Sequence, residues 1–494
     1  MSSVLAVDCG THAVRAIVFG PQGSRVLAER PLPLDHGPRG AVHIDPDMLA
    51  QATVAVVRAS LEQCRRGGED VTALGLTNMR ETLLAWSRSS GRALAPGIMW
   101  LSEESRPVVD RWRREGREDR IRALTGLANE TFFFGSKLVH LLETSLEVAT
   151  AAARGDLAVG TIDVFLLHVL TAGRVHATEP TNASRTQLLD IGTGAWSAEL
   201  CDALGVPEHC LPAVLPSSGM FGVTDPDVTG ASIPITGVLA DQQASLLGHG
   251  CETPGAAKAT LGTSGVVCVH LGDRRADADG LLTSLAWSAE QGPLQYELEG
   301  SAFSCGYTNS WVNDHVVGAR DVPRDISIGR AASEDDRVLL VPSFAGLGAP
   351  RWPSGRGAVL AGLGMSSTPA DVVRAGLEAM AFQIHDLMLA ATDALGPVST
   401  LSVDGGGSRS DYVCALLADL TGVPVVRQAL SELTCAGVAM AAARGGEQEL
   451  ALPDAASGAS RFEPGDPDYA RRGYDRWSEL VHQVLERPRE ESPV

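Results

Sequence analysis

Five short runs carry residues whose types and spacing suit work on phosphates and hydroxyls. The first, Asp8-Cys9-Gly10-Thr11, interrupts two apolar runs, VLAV and AVRAIVFG. Glycine lets the backbone approach a ligand closely, and successive N–H groups in a tight turn form an anion nest. Thr11 adds a hydroxyl donor, and Asp8 suits a metal ion beside the nest better than bare phosphate oxygens. The second run, Leu261-Gly262-Thr263, repeats the pattern between AAKAT and GVVCVHLG, so Thr11 and Thr263 hold matching places. Either run also reads as an ordinary hairpin turn, the first with Gly10 at positive φ; their recurrence is what favours a phosphate cradle. The third, Asp404-Gly-Gly-Gly-Ser-Arg-Ser-Asp411, stands where a strand would meet a helix N-terminus, a place for a backbone-lined nucleotide site or simply a pliable connection.

The fourth run is TNMRETLLAW, followed by GIMW. Arg80 and Glu81 follow a buried-looking strand, and a guanidinium beside a carboxylate can bind neighbouring hydroxyls as donor and acceptor. Trp100 would wall a carbon chain. The bland alternative is a surface ion pair and a core tryptophan. The fifth is Asp241 in TGVLADQQASLLGHG, ending an apolar strand and opening a helical run. A carboxylate there can accept a proton from a hydroxyl nucleophile, or it can merely cap the helix. The third run is not G-x-G-x-x-G, so a dinucleotide fold is not supported, and no G-x-x-x-x-G-K-[ST] occurs, with Lys137 and Lys258 elsewhere, so a P-loop is excluded.

These residues need elements to hold them. The spacing predicts strands over 4–8 and 13–19, a third in SRVLAERPLPL, a helix in DPDMLAQATVAVVRASLEQC with Asp45 as N-cap and Pro46 at its first position, and a buried strand VTALGLTN. The second half repeats the plan: a strand pair around LGTSG, a long helix opened by a Thr368–Asp371 capping box and Pro369, then strand, glycine loop and helix in TLSVDGGGSRSDYVCALLADLTG. Two similar halves facing each other imply a cleft between them. The boundary is placed after TGVLAD, giving domains 1–246 and 247–485 and a charged tail 486–494.

Composition bounds the rest. A chain of 494 residues is long enough for two or three domains. Its net charge of −20 repels nucleic acid and anionic membranes, so a polyanion site has to be built locally. Of the 40 basic side chains only two, Lys137 and Lys258, are lysines. Nine scattered cysteines without a C-x-x-C pair read as reduced core residues of a cytoplasmic protein. No leader pattern or membrane-length apolar run is visible.

Taken together, TNMRET, TAGRVHATEPTNASRT, ADQQASLLGHG, LGTSG, VPSFAGLGAPRWPSGRGAVLAGL and VDGGGSRSDYV resemble the FGGY carbohydrate kinase family across roughly residues 4–480, and within it the branch acting on glycerol. The resemblance implies an α/β fold of two actin-like, RNase H-like ATPase domains around a central cleft. It implies ATP and Mg²⁺ as cofactors and a small polyol or sugar as the partner molecule. By the same resemblance Asp241 is the catalytic base, and Asp8 and Asp241 lie near the metal. Thr11, His12, Arg15, Gly262 and Thr263 surround the phosphates, and Gly406 and Ser410 border the adenosine. Arg80, Glu81, Trp100, Phe132, Asp241 and Gln242 occupy the substrate positions. Family members are often dimers or tetramers, so a homo-oligomer is an expectation. Transfer of phosphate to a primary hydroxyl is the implied activity, with glycerol first and erythritol or a pentulose as alternatives. A catalytically weak actin-like sensor of nucleotide or sugar is the reading from another class.

The pattern is broken at four places. Phe132 stands where glycerol-acting members carry tyrosine, and Val266 where an aromatic is usual, which makes one side of the pocket less polar and roomier. LSEESRP replaces a Gln- or Asn-led, Arg-containing stretch after Trp100. His12 replaces a small hydroxyl residue beside Thr11 and could donate a ring N–H in its place; Ala13 follows it.

Overall fold

The computed structural model describes residues 3–289, 292–318, 337–352, 357–450 and 458–486. Apart from Glu486, the charged tail lies outside the described residues, as do residues 353–356 of the VPSFAGLGAPRWPSGRGAVLAGL run. In the first half, β1 (Ser3–Cys9), β2 (Ala13–Gly20) and β3 (Gly23–Pro31) form an antiparallel meander. Helix α1 (Pro46–Arg66) begins at Asp45, whose carboxylate accepts the backbone N–H of Asp47 and Met48. It buries Leu49, Thr53, Val56, Val57, Ser60, Leu61 and Cys64, one helical stripe, against the sheet. Strand β4 (Val71–Asn78) then enters parallel to β1. Helix α2 (Phe134–Thr144) follows in the large insertion between β4 and β5 (Ser218–Val223). Strand β6 (Pro234–Ala240) pairs parallel with β4 and runs directly into α3 (Asp241–Gly248).

The second half contains β7 (Ala256–Leu261), β8 (Gly265–Gly272), β9 (Leu282–Trp287) and β10 (Gln295–Ala302), then the 27-residue helix α4 (Pro369–Leu395), which has the expected capping box. After it come β11 (Thr400–Asp404), α5 (Asp411–Thr421), β12 (Val425–Arg427), α6 (Leu433–Gly445), β13 (Ser460–Phe462) and α7 (Pro467–Glu486). The first sheet is ordered β5-β6-β4-β1-β2-β3 and the second β9-β10-β8-β7-β11-β12-β13. Both contain an antiparallel run, of three strands in the first sheet and four in the second, where β9 is added, then two strands running parallel to the first and an antiparallel edge strand. This is one topology used twice, each copy with its own core. In each sheet the hairpin between the first two strands and the ends of the parallel strands fall on the same side. Ligands of α/β sheets gather at such strand ends.

The halves are sewn together by α3 and α6. A Cβ on Gly437 would lie 1.8 Å from the Ala244 carbonyl oxygen, and one on Gly248 2.0 Å from that of Leu433, so the helices cross backbone to backbone. Although α6 lies late in the chain, its Ala436, Val438, Ala439 and Ala442 pack against Val4, Ala6, Ile17, Ala73 and Leu239 of the first sheet. Residue 246 falls inside α3, so the chain leaves the first unit only after that helix. All nine cysteines are free and buried. Among the described residues no helix is long and apolar enough to cross a membrane.

Candidate functional site

The apolar alternation of β1 and β2 buries both strands and leaves their turn in the cleft. Asp8 is buried there, and Arg15 Nε donates to its Oδ2 at 2.9 Å while Arg15 Nη1 lies 2.9 Å from Glu432 ahead of α6. Burial pushes the Asp8 carboxyl above its usual range in spite of Arg15. The expected left-handed glycine is not found: neither Gly10 nor Gly262 nor Gly406 has a positive φ. A Cβ on Gly10 would come no nearer than 3.6 Å to other atoms and one on Gly262 no nearer than 3.4 Å, while one on Gly406 would meet nothing within 4 Å. Packing within the protein therefore does not demand glycine at these three places; a group laid against the backbone would. Gly405 differs, with φ of 83° and Leu261 in the way of any Cβ. Thr11 receives the Trp100 indole N–H at 3.2 Å, which ties the tryptophan wall to the first hairpin. His12 and Thr263 are exposed.

Between the two sheets lies a cavity of about 340 Å³. Arg80, Glu81, Trp100, Phe132, Asp241 and Gln242 all line it, together with Thr11 and Val266. The surface ion pair is ruled out, since the Arg80 and Glu81 side chains are only 10% and 6% exposed. Arg80 forks onto Glu299 and reaches Asp241 Oδ1 at 3.3 Å, while Arg185 donates to Glu81 at 2.7 Å and to Glu299 at 3.1 Å. Two arginines thus alternate with two glutamates in one buried quartet. Glu81 sits at φ 60°, an unfavourable conformation for a residue with a Cβ. Asp241 is not the helix cap: Ala240 holds that place, and Asp241 is the first helical residue, its Oδ1 accepting the N–H of Gln242 at 2.7 Å. Burial raises the Asp241 carboxyl to about 6, against the pull of Arg80 and with a further push from Glu81 and Asp8. The negative charge that Glu81 and Asp8 add beside Asp241 is charge that a divalent cation there would relieve. Phe132 stacks on Phe133 with centroids 4.1 Å apart, and with Val266, Leu282, Phe303 and Trp352 it gives the cavity an apolar side.

At the second hairpin, Gly306 N–H donates to Gly262 O at 2.8 Å and Tyr307 N–H to Thr263 O at 3.2 Å, which fixes the turn against the helix Cys305–Trp311. Gly406 is exposed at the end of β11. Ser410 is buried as the N-cap of α5, its oxygen accepting the N–H of Val413 at 3.3 Å.

Sequence reading missed Arg185, Glu299, Lys137 and Lys258. Lys137 Nζ donates to the carbonyls of Glu81 at 3.0 Å and Phe132 at 2.5 Å, and Lys258 donates to Gln242 Oε1 and, at 3.2 Å, to Thr260 Oγ1. Arg185 is the fifth residue of the TNASRT run, and Glu299 is a charge on a strand buried on both faces; an unmatched charge in an apolar element was the available signal. Among the described residues the one trio spaced for a metal is Cys268, Glu297 and Glu299, but Glu299 is committed to Arg80 and Arg185.

Comparison with known proteins gives the same architecture. The model of the FGGY family of carbohydrate kinases matches residues 3–248 with its N-terminal domain and 257–446 with its C-terminal domain. A glycerol kinase of Methylibium petroleiphilum is 40% identical over 500 residues, covering 98% of this chain and 100% of that protein. One from Thermus brockianus is 40% identical, covering 98% and 99%. The crystal structure of Plasmodium falciparum glycerol kinase with ADP superposes with a TM-score of 0.90 at 24% identity, covering 99% of each chain.

Proposed function

The chain belongs to the FGGY family of carbohydrate kinases, and on that premise we propose that it transfers the terminal phosphoryl group of ATP to a primary hydroxyl of glycerol. The observation that carries this reading is the place of Asp241: first residue of α3, in one cavity with Arg80, Glu81 and Gln242, at the junction of the two halves.

Phosphoryl transfer passes through a loose transition state, so positioning and charge stabilisation dominate over covalent work. Arg80 and Glu81, fixed by Glu299 and Arg185, orient two neighbouring hydroxyls as donor and acceptor. Asp241 holds the third hydroxyl in line with the phosphate and takes its proton late in the transfer. The backbone at Gly10 and Gly262 and the hydroxyls of Thr11 and Thr263 receive the phosphates, and the open face of Gly406 borders the adenosine. Arg15 joins them once phosphate competes with Asp8 and Glu432 for its guanidinium. Asp8 and Asp241 are the hard oxygen donors that would hold Mg²⁺ with its water, and the ion would neutralise phosphate charge. Approach of the halves about the α3–α6 crossing excludes water, which otherwise competes as acceptor. The free buried thiols fit a reducing, cytoplasmic setting.

One observation favours a second acceptor. Phe132 and Val266 give part of the cavity an apolar lining where the resemblance expects a phenol and an aromatic ring, which keeps erythritol or a pentulose as the alternative acceptor. The test is ADP release with glycerol, erythritol, dihydroxyacetone, xylulose and ribulose. Stimulation by glycerol that disappears in Asp241→Asn supports the reading. Stimulation by a five-carbon acceptor alone moves the substrate, and ATP binding without stimulation by any of them makes the protein a sensor.

A further inference from the structure

The arginine-for-lysine skew has two exceptions, and both are at the acceptor site. Lys137 and Lys258 are each 0% exposed. A buried ammonium is costly unless its protons are met. The fully buried arginines, Arg185 and Arg337, meet carboxylates with their planar forks. The lysines instead meet neutral oxygens that converge on one point: two carbonyls for Lys137, an amide and a hydroxyl oxygen for Lys258. A compact ammonium on a flexible stem fills such a point, whereas a guanidinium does not.

Resting on the acceptor site described above, we propose that Lys137 and Lys258 are positioning residues that hold opposite walls of the acceptor cavity. Lys137 grips the carbonyls of Glu81 and Phe132, one a polar wall residue and one apolar. It thereby holds Glu81 in its left-handed backbone conformation, which aims the carboxylate at Arg185 and the cavity. Lys258 fixes the Gln242 amide oxygen, which turns the amide N–H₂ toward the cavity. Against burial, and together with His249, its charge also lowers the carboxyl of Asp404, the last residue of β11 before the glycine loop. Acceptor and nucleotide walls therefore share one ammonium. Neither lysine is among the residues lining the cavity, so neither is a catalytic residue.

The scarcity of lysine makes the test direct. Protein labelled with ¹³C at lysine Cε gives two resonances, and saturating glycerol is expected to shift both. Lys137→Met and Lys258→Met are each expected to raise KM for glycerol at least tenfold while KM for ATP changes less than threefold in Lys137→Met. Lys137→Arg and Lys258→Arg are not expected to rescue. Resonances unmoved by a saturating acceptor, or glycerol KM within threefold of wild type in both methionine variants, overturn the proposal. If the variants do not fold, the two wild-type resonances decide alone. Wild type inactive on glycerol refutes the substrate reading instead, and the lysines are then judged by the same thresholds on the acceptor that wild type phosphorylates or, if it phosphorylates none, on the panel member that raises its melting temperature.

Discussion

Replacing Asp241 by asparagine is expected to stop transfer and to stabilise the ligand-free protein. The cost of the ionised carboxylate follows from its surroundings: burial lifts it from 3.8 to about 6 in spite of Arg80. About two units at about 1.36 kcal/mol each give about 3 kcal/mol. The side chain keeps 32% of its surface open to cleft water, which screens the penalty and brings the expected gain to about 1–2 kcal/mol. For a domain of this size that is roughly 2–8 °C in melting temperature. The sign fixes the pH window. The folded state holds this proton more tightly than the unfolded chain, so the penalty is absent below the unfolded value of 3.8, grows as pH rises, and is complete above about 6. Asp241→Asn therefore gains its full margin at pH 8 and loses most of it by pH 4. Over the same range kcat/KM of wild type falls about tenfold per pH unit below 6, as the base protonates. The variant should lose about 10²–10⁴ in kcat. Differential scanning fluorimetry at pH 8 and pH 4, with ADP release measured alongside, reads both quantities. A variant that is less stable than wild type at pH 8, or that keeps kcat within tenfold, refutes the reasoning.

Three further outcomes are expected. Ser410→Ala loses a helix cap and about 1 kcal/mol of stability, while KM for ATP stays within twofold; a tenfold rise in that KM would return the hydroxyl to the nucleotide. Phe132→Tyr supplies a phenol to the apolar side of the cavity and lowers KM for glycerol about two- to tenfold, the worth of one net hydrogen bond; an unchanged or higher KM counts against a hydroxyl partner there. Glu299→Gln leaves Arg80 and Arg185 facing each other without their shared counter-charge and costs about 3–5 kcal/mol in urea unfolding, with loss of acceptor binding; a cost below 1 kcal/mol would mean that the quartet is not a unit.

Local physics made much of the fold legible. Asp45 and Pro46 announce a helix start because an N-cap and a fixed φ are decided within three residues, and Thr368 with Asp371 does the same for α4. The two hairpins show because apolar strands broken by Gly-Thr are rare enough to be compared by eye. Long-range pairing was not legible. Arg80 was read with its chain neighbour Glu81, but its fork goes to Glu299, more than two hundred residues away, and Glu81 is matched by Arg185. Ser410 was placed at the adenosine by the resemblance alone, and its role as the cap of α5 was not read from the sequence. The lysines were read as misplaced for a P-loop, since their value lies in the carbonyl and amide oxygens they meet in the folded core.

The α3–α6 crossing explains why the chemistry sits where it does. Asp241 opens α3 and is therefore fixed to the end of β6, deep in the first sheet. Seven residues separate Gly248, which closes α3, from Ala256 at the start of the second sheet, and Leu433 and Gly437 of α6 press on α3 from a segment that follows β12. Just ahead of α6, Glu432 holds Arg15 of the first hairpin. Helix α6 itself packs on the first sheet, so α3, α6 and the first hairpin, the last tied in by the Arg15–Glu432 ion pair, form one block. Tightly packed backbones move as units. Asp241, the first hairpin, Arg80 and Glu81 then keep their places relative to one another, and the closure proposed above would carry the second hairpin and the glycine loop after β11 toward a base and acceptor site already assembled on the first sheet.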